Sequence, residues 1–251
     1  MRKTGLEQLL ADRVRVLGPD HPDTLVTRGN LAALRSTASD PVATAEQIAV
    51  DFTRVLGPDH ANTLVARGNH AIRQGQNGDP GAAVAALQEL LTDMLRVFGA
   101  EHLHTLATRG NLARWCGHAG DPAKAVGDLE TLLTDQLRVL GPDHTDTLIT
   151  RGHLANWRGE AGDPASAAAA TEELLADLTH IIGPDHPHTL ITRSNLATWR
   201  GKAGDSTAAV SILDQLVADR TRILGPEHPD TKAAHDKLAK WRRLHLRPSA
   251  R

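Results

Sequence analysis

A fixed spacing of 42 residues constrains the fold of this chain more than any other feature. Six short segments each begin with glycine, and most continue as Pro-Asp-His or Pro-Glu-His. By subtraction the first spacing is 39 residues and the next four are 42, for Gly18, Gly57, Gly99, Gly141, Gly183 and Gly225. The tryptophans Trp115, Trp157, Trp199 and Trp241 share the 42-residue spacing. Such a period predicts a tandem array in which each unit packs against the next.

Each unit contains two segments with helical periodicity, here named helix A and helix B. In residues 143–183, the segment TDTLITRGHLANWRGEA is followed by Gly162-Asp163-Pro164, and this proline is the first residue of the segment PASAAAATEELLADLTHII. Glycine suits the end of a helix, Asp caps the next helix, and Pro is accepted in its first turn. The alternation expected of β-strands is not found. The sequence therefore predicts an all-α array of antiparallel helix pairs.

The period also predicts the limits of the array. We expect one TPR-like solenoid over residues 1–246, which starts with a leading helix B at 4–17, and a flexible tail at 247–251. Between them we expect a C-terminal capping helix at about 230–246 and five A–B pairs, at about 20–57, 59–99, 101–141, 143–183 and 185–225.

Composition narrows the class of protein. The net charge is −2 for 251 residues, whereas nucleic-acid and membrane surfaces need a concentrated basic field. Cys116 is the single cysteine, and no apolar run reaches the length of a membrane span. We expect a soluble, cytoplasmic protein that binds neither nucleic acid nor membrane. No phosphate loop, HExxH, nucleophile elbow or cysteine cluster is found, so we expect no enzyme activity, no catalytic residue and no cofactor.

Four positions of the repeat match a known family. The order Leu154-Ala155, Gly162, Ala167 resembles the tetratricopeptide repeat, and the unit Leu112-Ala113, Gly120, Ala125 repeats it. The 42-residue period, with GPDHPxT before helix A and NLA within it, resembles the kinesin-light-chain-type subfamily, which is widespread in bacterial proteins. The resemblance implies a right-handed superhelical solenoid whose A helices line a concave groove. It also implies a partner protein or peptide. Members of this subfamily often form sensor arrays that follow NTPase domains.

The resemblance places a row of amides in that groove. Asn30, Asn69, Asn111 and Asn195 hold one position of helix A, and His153 holds it in the fourth repeat. In peptide-binding relatives an Asn here bonds the backbone or terminal carboxylate of an extended peptide, and an amide both donates and accepts. The alternative is a hydrogen bond between helices of the solenoid. Further groove candidates vary between repeats: Arg114, His118, Asn156, Glu160, Thr198 and Lys202.

Three other sets of residues recur at fixed positions of the repeat, and each set has two interpretations. The tryptophans form either a ligand ladder or, as we expect, part of the core. The helix A glycines, such as Gly75 and Gly159, permit either close helix packing or a smooth groove floor. The arginines two residues before each Asn either attract an acidic peptide or, as we expect for much of this charge, form ion-pair ladders between repeats.

The Gly-Pro-Asp-His segment itself pairs an acid with a histidine. A metal site needs several ligands converging on one ion, and one turn offers only Asp, His and sometimes a second His such as His104. We therefore expect no metal and assign the segment to ending helix B and capping helix A.

These features lead to one main hypothesis and two alternatives. The main hypothesis is a non-catalytic scaffold that holds an extended peptide or partner helix in the groove. The chain is alternatively a structural or sensor arm of a larger signalling protein, or a solenoid that weakly self-associates through its terminal helices.

Overall fold

The computed structural model describes residues 2–34 and 41–245, and the regular secondary structure of these ranges is α-helical throughout. The predicted tail at 247–251 lies outside them. The chain forms two compact units, Met1–Asp121 and Pro122–Arg251. The assignment of residues 1–246 to a single array stays a prediction.

The first unit contains a leading helix followed by alternating A and B helices. They are α1 Arg2–Leu17, α2 Pro22–Leu34, α3 Pro41–Leu56, α4 Ala61–Gln76, α5 Pro80–Phe98 and α6 Leu103–His118. Helices α2, α4 and α6 are of A type, and α1, α3 and α5 are of B type. Each helix contacts the next, and α4 also contacts α6.

The second unit follows the same order in its described residues. It contains α7 Pro122–Val139, α8 Thr145–Glu160, α9 Pro164–Ile182, α10 Pro187–Lys202, α11 Ser206–Leu224 and α12 Pro229–His245. Successive helices again pack together, and α8 also contacts α10. Because turns of three to five residues join packed helices in this unit, each pair is antiparallel. The predicted all-α architecture of helix pairs is confirmed.

The turns form for the reasons that the sequence indicated. The Asp79 carboxylate accepts a hydrogen bond from the Ala82 backbone N–H at 2.9 Å, which caps α5, and Pro80 occupies its first turn. Asp163 and Asp205 cap α9 and α11 in the same way. Gly78 and Gly99 end α4 and α5 with φ of 99° and 84°, values that favour glycine.

The core of each unit is made of leucine, alanine and tryptophan. In the first unit Leu64, Leu87, Leu90, Met94 and Trp115 form one buried cluster. In the second, Leu190, Ala197, Leu213, Leu216 and Leu238 form another. Small residues in this core let the helices approach closely. Among the described helices none is both long and apolar enough to span a membrane.

The first and last helices differ in their exposed faces. In α1, Leu9 is 41% exposed, whereas Leu90 and Leu132 at the equivalent position of later B helices are 1% and 0% exposed. In α12, Lys232 and Asp236 are exposed at positions where α10 carries Leu190 and Ser194. A polar face of this kind suits the end of a repeat array.

Candidate functional site

Each A helix presents a row of four side chains that remain accessible to solvent. Spacings of four, three and four residues place them on one side of the helix, which we name the A face. In α4, α6, α8 and α10 the A face consists of Val65, Asn69, Ile72 and Gln76; Ala107, Asn111, Arg114 and His118; Ile149, His153, Asn156 and Glu160; and Ile191, Asn195, Thr198 and Lys202. All of the predicted groove residues in these helices lie on it.

Four asparagines share one repeat position, namely Asn30, Asn69, Asn111 and Asn195. Asn30 and Asn69 are exposed, and Asn111 and Asn195 are half-buried. No side-chain hydrogen bond to these four amides is present among the described residues. The alternative that they bond neighbouring helices is therefore not observed. His153, at the same position of α8, is half-buried.

A cleft in the first unit brings two of these amides together. Its volume is about 310 Å³, and it lies between α2, α3 and α4. Asn30 and Asn69 line it, Ile48 and Phe52 contribute apolar surface, and Arg73 adds a positive charge. Later repeats carry a tryptophan at the position of Arg73. The side chains of this repeat therefore fill less of the cleft than they would with a tryptophan there.

Arg114 and His118 of α6 pack around a tryptophan. The Arg114 guanidinium lies 4.8 Å from the ring centroid of Trp115, and the His118 ring centroid lies 5.2 Å from it. Burial lowers the pKa of Arg114. Burial, followed by the Arg114 charge, lowers the pKa of His118. His118 is therefore neutral at neutral pH, where it both donates and accepts hydrogen bonds.

The predicted residues of α8 and α10 contact one another. The Trp199 indole N–H donates to the Asn156 Oδ1 at 3.0 Å. Lys202 Nζ lies 2.9 Å from the Glu160 carboxylate and 4.4 Å from the Trp199 ring centroid. The Thr198 hydroxyl donates to the Ser194 carbonyl at 3.0 Å. Asn156, Glu160 and Lys202 thus join two A helices, a role that the sequence did not reveal, whereas Thr198 bonds within its own helix.

The tryptophans belong to the core, as expected. Trp115 and Trp199 are 6% and 4% exposed. The Trp115 ring covers Gly75, where an added Cβ would lie 2.6 Å from ring atoms, and Trp199 and Trp241 cover Gly159 and Gly201 likewise. These glycines therefore serve close packing. The signal was in the sequence: in each case the tryptophan follows the glycine by 40 residues.

Four of the arginines that lie two residues before the Asn or His position are paired within a repeat, so the predicted ladder between repeats is wrong for these four. They join helix A to its own helix B at 2.6–2.9 Å, in Arg28–Asp51, Arg67–Asp93, Arg151–Asp177 and Arg193–Asp219. A different row links one repeat to the preceding helix B, namely Arg158–Glu130, Arg200–Glu172 and Arg242–Asp214.

The Gly-Pro-Asp-His segments are used for capping and ion pairing. His60 Nδ1 accepts a hydrogen bond from the Asn62 backbone N–H at 3.1 Å, and the equivalent histidines accept in the same way. Asp59 bonds Arg96 near the end of α5, and this bond lowers the pKa of Asp59. No group of three or more metal-binding side chains occurs in the part of the chain that is described.

Comparison with known proteins agrees with the array of helix pairs described above. The family model of the tetratricopeptide repeat matches residues 6–23, 105–146 and 189–230. No curated protein matches the chain.

Solved structures share the fold at low sequence identity. A Podosopora anserina protein described as a kinesin light chain with nearly identical TPR-like repeats is 24% identical, with a TM-score of 0.64 over 81% of this chain and 98% of that one. BtubC (BKLC) from P. vanneervenii is 18% identical, with a TM-score of 0.69 over 89% and 94% of the two chains. A tetratricopeptide repeat protein from Parabacteroides merdae is 13% identical, with a TM-score of 0.53 over 99% and 94%.

Proposed function

We propose that this tetratricopeptide-repeat chain, which has the fold of kinesin-light-chain-like repeat proteins, holds an extended peptide on its A faces. Repeats of this kind generally serve as scaffolds for protein–protein interaction. In the proposal the Asn row of the first unit, Asn30, Asn69 and Asn111, bonds the peptide backbone. Asn195 and His153 do the same in the second unit.

The free amides of the Asn row carry the proposal. A side-chain amide has two donors and a carbonyl acceptor, so it can bond both groups of a peptide unit without selecting a side chain. Asn30, Asn69 and Asn111 are not used by the fold, although the arginines two residues before two of them are paired. A row of polar groups kept free at one repeat position is what backbone recognition requires.

Apolar contacts at the start of each A face would add affinity. Val65, Ile149 and Ile191 stand four residues before the Asn or His position and are 37%, 40% and 50% exposed. Burying such a side chain contributes roughly 1.5–3 kcal/mol when it is fully removed from water. An extended peptide with apolar side chains would therefore gain from contact with these positions.

Sequence selectivity would come from the positions that vary. Arg114 and His118 offer a cation and a neutral imidazole, whereas Glu160 and Lys202 form a neutralised pair. Asn156 and Thr198 are already bonded within the unit, so they contribute mainly by shape.

The test begins with a random linear peptide library selected against the full chain. The best peptide is then titrated by calorimetry into the wild type and into the double variant Asn69→Ala/Asn111→Ala. Each lost amide bond costs about 1 kcal/mol, so we expect the double variant to bind about tenfold or more weakly.

Asn77→Ala is the matched control. Asn77 is exposed and ends α4 outside the Asn row, so its replacement should leave the affinity within about twofold of the wild type. If the double variant binds the selected peptide as tightly as Asn77→Ala does, the assignment of the peptide to the Asn row is wrong.

A further inference from the structure

The cleft between α2, α3 and α4 is large enough to hold a small molecule. Its volume is about 310 Å³. A cavity of about 150 Å³ is enough for one benzene molecule, so this cleft has room for a ring system larger than benzene. Most of the residues that line it are apolar. They include Ile48 and Phe52, which are 7% and 4% exposed, and Val65, which is 37% exposed.

In the next repeat a tryptophan fills the corresponding space. The Trp115 ring of α6 belongs to the buried cluster that includes Ala83 and Leu87 of α5, and it covers Gly75 of α4. The residue 42 positions before this tryptophan is Arg73 of α4, which lines the cleft. The cleft therefore lies where the following repeat packs an indole ring.

Helix α3 is also shorter than α5 at the end that borders the cleft. It has 16 residues, whereas α5 has 19. By subtraction, Asp51 follows the first residue of α3, Pro41, by ten positions, and Asp93 follows Pro80 of α5 by thirteen. Because Asp51 and Asp93 each bond the arginine of their own repeat, the missing residues lie at the start of α3. Pro41 lines the cleft, so both a missing indole and a missing turn open this space.

The charge of the cleft favours an anion. Among the described residues that line it, Arg73 is the charged one, and its guanidinium donates to Gln76 Oε1 at 3.1 Å. The amides of the exposed Asn30 and Asn69 lie in the same lining. An apolar lining with a few polar groups is typical of small-molecule sites. The positive charge of Arg73 attracts a carboxylate on a bound molecule and repels an ammonium group.

We propose that the cleft binds a free planar molecule that has two fused aromatic rings and a carboxylate. The rings occupy the space that the Trp115 indole fills in the next repeat, and the carboxylate lies toward Arg73. The amides of Asn30 and Asn69 can bond a further polar group of the molecule. This site needs no peptide, so it does not depend on the proposed function.

The experiment titrates indole-3-acetate into the full chain at neutral pH, followed by calorimetry. We expect saturable binding to the wild type. Ala45→Phe places a ring inside the cleft, which Ala45 lines, and should weaken binding about tenfold or more. The matched control is Ala43→Phe in the same helix, because Ala43 is exposed and lies outside the lining. That variant should bind within about twofold of the wild type.

A charge variant and two further ligands test the carboxylate, and they do so even if Ala45→Phe fails to fold. Arg73→Gln should weaken the binding of indole-3-acetate severalfold and change that of indole by less than about twofold. Tryptamine has the same rings with an ammonium group and should bind about tenfold or more weakly than indole-3-acetate. The proposal is overturned if indole-3-acetate does not saturate the wild type, if Ala45→Phe binds it as tightly as Ala43→Phe does, or if tryptamine binds as tightly.

Discussion

Glycine and tryptophan form matched pairs at the contacts between successive A helices of each unit. The Trp115 ring occupies the space that a side chain at Gly75 would need, and Trp199 does so at Gly159. The conformational freedom of a mid-helix glycine costs about 1 kcal/mol relative to alanine. Burial of a tryptophan ring against the bare backbone offsets that cost, because tryptophan removes 150–250 Å² from water, as a rough range.

This pairing predicts opposite effects for two identical substitutions. Gly75→Ala would place a Cβ 2.6 Å from the Trp115 ring, so we expect it to lower the free energy of unfolding by about 1–3 kcal/mol. Gly127→Ala in α7 meets no atom within 4 Å and should raise it by up to about 1 kcal/mol. Urea unfolding followed by circular dichroism measures both, and equal effects of the two substitutions would contradict the pairing.

The bond between Asn156 and Trp199 predicts a second difference. Asn156→Ala leaves the buried indole N–H without an acceptor, so we expect a loss of about 1–3 kcal/mol in the free energy of unfolding. Thr198→Ala removes a hydroxyl that bonds only its own helix, and we expect a change within about 0.5 kcal/mol. The same unfolding assay tests this, and an unaffected Asn156→Ala variant would show that the indole bond adds no stability.

At the scale of the element, a helix such as α4 or α5 begins at a specific capping side chain, and ion pairs connect it to its partner helix. His60 caps α4 through Nδ1, and Asp79 caps α5 through its carboxylate. Arg67 and Arg96 both bond Asp93, and Arg96 also bonds the Asp59 that precedes α4. Ion pairs between residues of one repeat therefore hold its A and B helices together at both ends of the pair.

The histidine caps predict a graded response to substitution. His60→Ala removes the acceptor of the Asn62 backbone N–H, so it should lower the free energy of unfolding by about 0.5–2 kcal/mol. His60→Asp restores an acceptor at the favourable end of the helix dipole and should recover most of that loss. Thermal unfolding of the two variants beside the wild type checks the order, and an Asp variant no better than the Ala variant would contradict capping.

The carboxylates that form ion pairs with arginine predict that the free energy of unfolding falls at acid pH. Hydrogen bonds from Arg193, and then from Arg222, hold the pKa of Asp219 below the ordinary value of an aspartate, and Asp93 behaves likewise with Arg67 and Arg96. A carboxylate with a lowered folded-state pKa stabilises the fold above its unfolded-state pKa, and this stability disappears as the pH falls through the folded-state value.

We therefore expect full stability at pH 5–7 and a progressive loss below about pH 4. Asp219→Asn should be less stable than the wild type at pH 7 and should lose less between pH 5 and pH 3. Urea midpoints at these pH values provide the test. An Asp219→Asn variant with the acid dependence of the wild type would show that this pair does not contribute.

At the scale of the whole molecule, the sequence specified the repeat and its turns but not every contact. The period, the A–B order and the Gly-Asp-Pro caps were predictable because they depend on residues close together in the chain. The partners of the charged rows were not, because Arg67 and Asp93 recur at a fixed phase in every repeat. A row that repeats in this way has the same spacing pattern whether it pairs within a repeat or between repeats.

The A faces show the same limit. The sequence located Asn69, Asn111 and Asn156 on one side of helix A because helical spacing fixes that side. It did not show that Asn156 would bond Trp199 while the Asn69 and Asn111 amides stayed free. That outcome depends on contacts between helices: Asn156 stands three residues after the position of the Asn row, and there its Oδ1 lies 3.0 Å from the indole nitrogen of Trp199 in the next A helix.

The most direct test of peptide binding to the Asn row observes the amides themselves. The side-chain NH₂ resonances of asparagine are resolved in a two-dimensional ¹⁵N–¹H spectrum of the full chain while the selected peptide is added. We predict that the resonances of Asn69 and Asn111 shift to saturation with the peptide and that those of Asn77 do not. A peptide that saturates the chain while the Asn69 and Asn111 side-chain resonances stay in place would contradict the account.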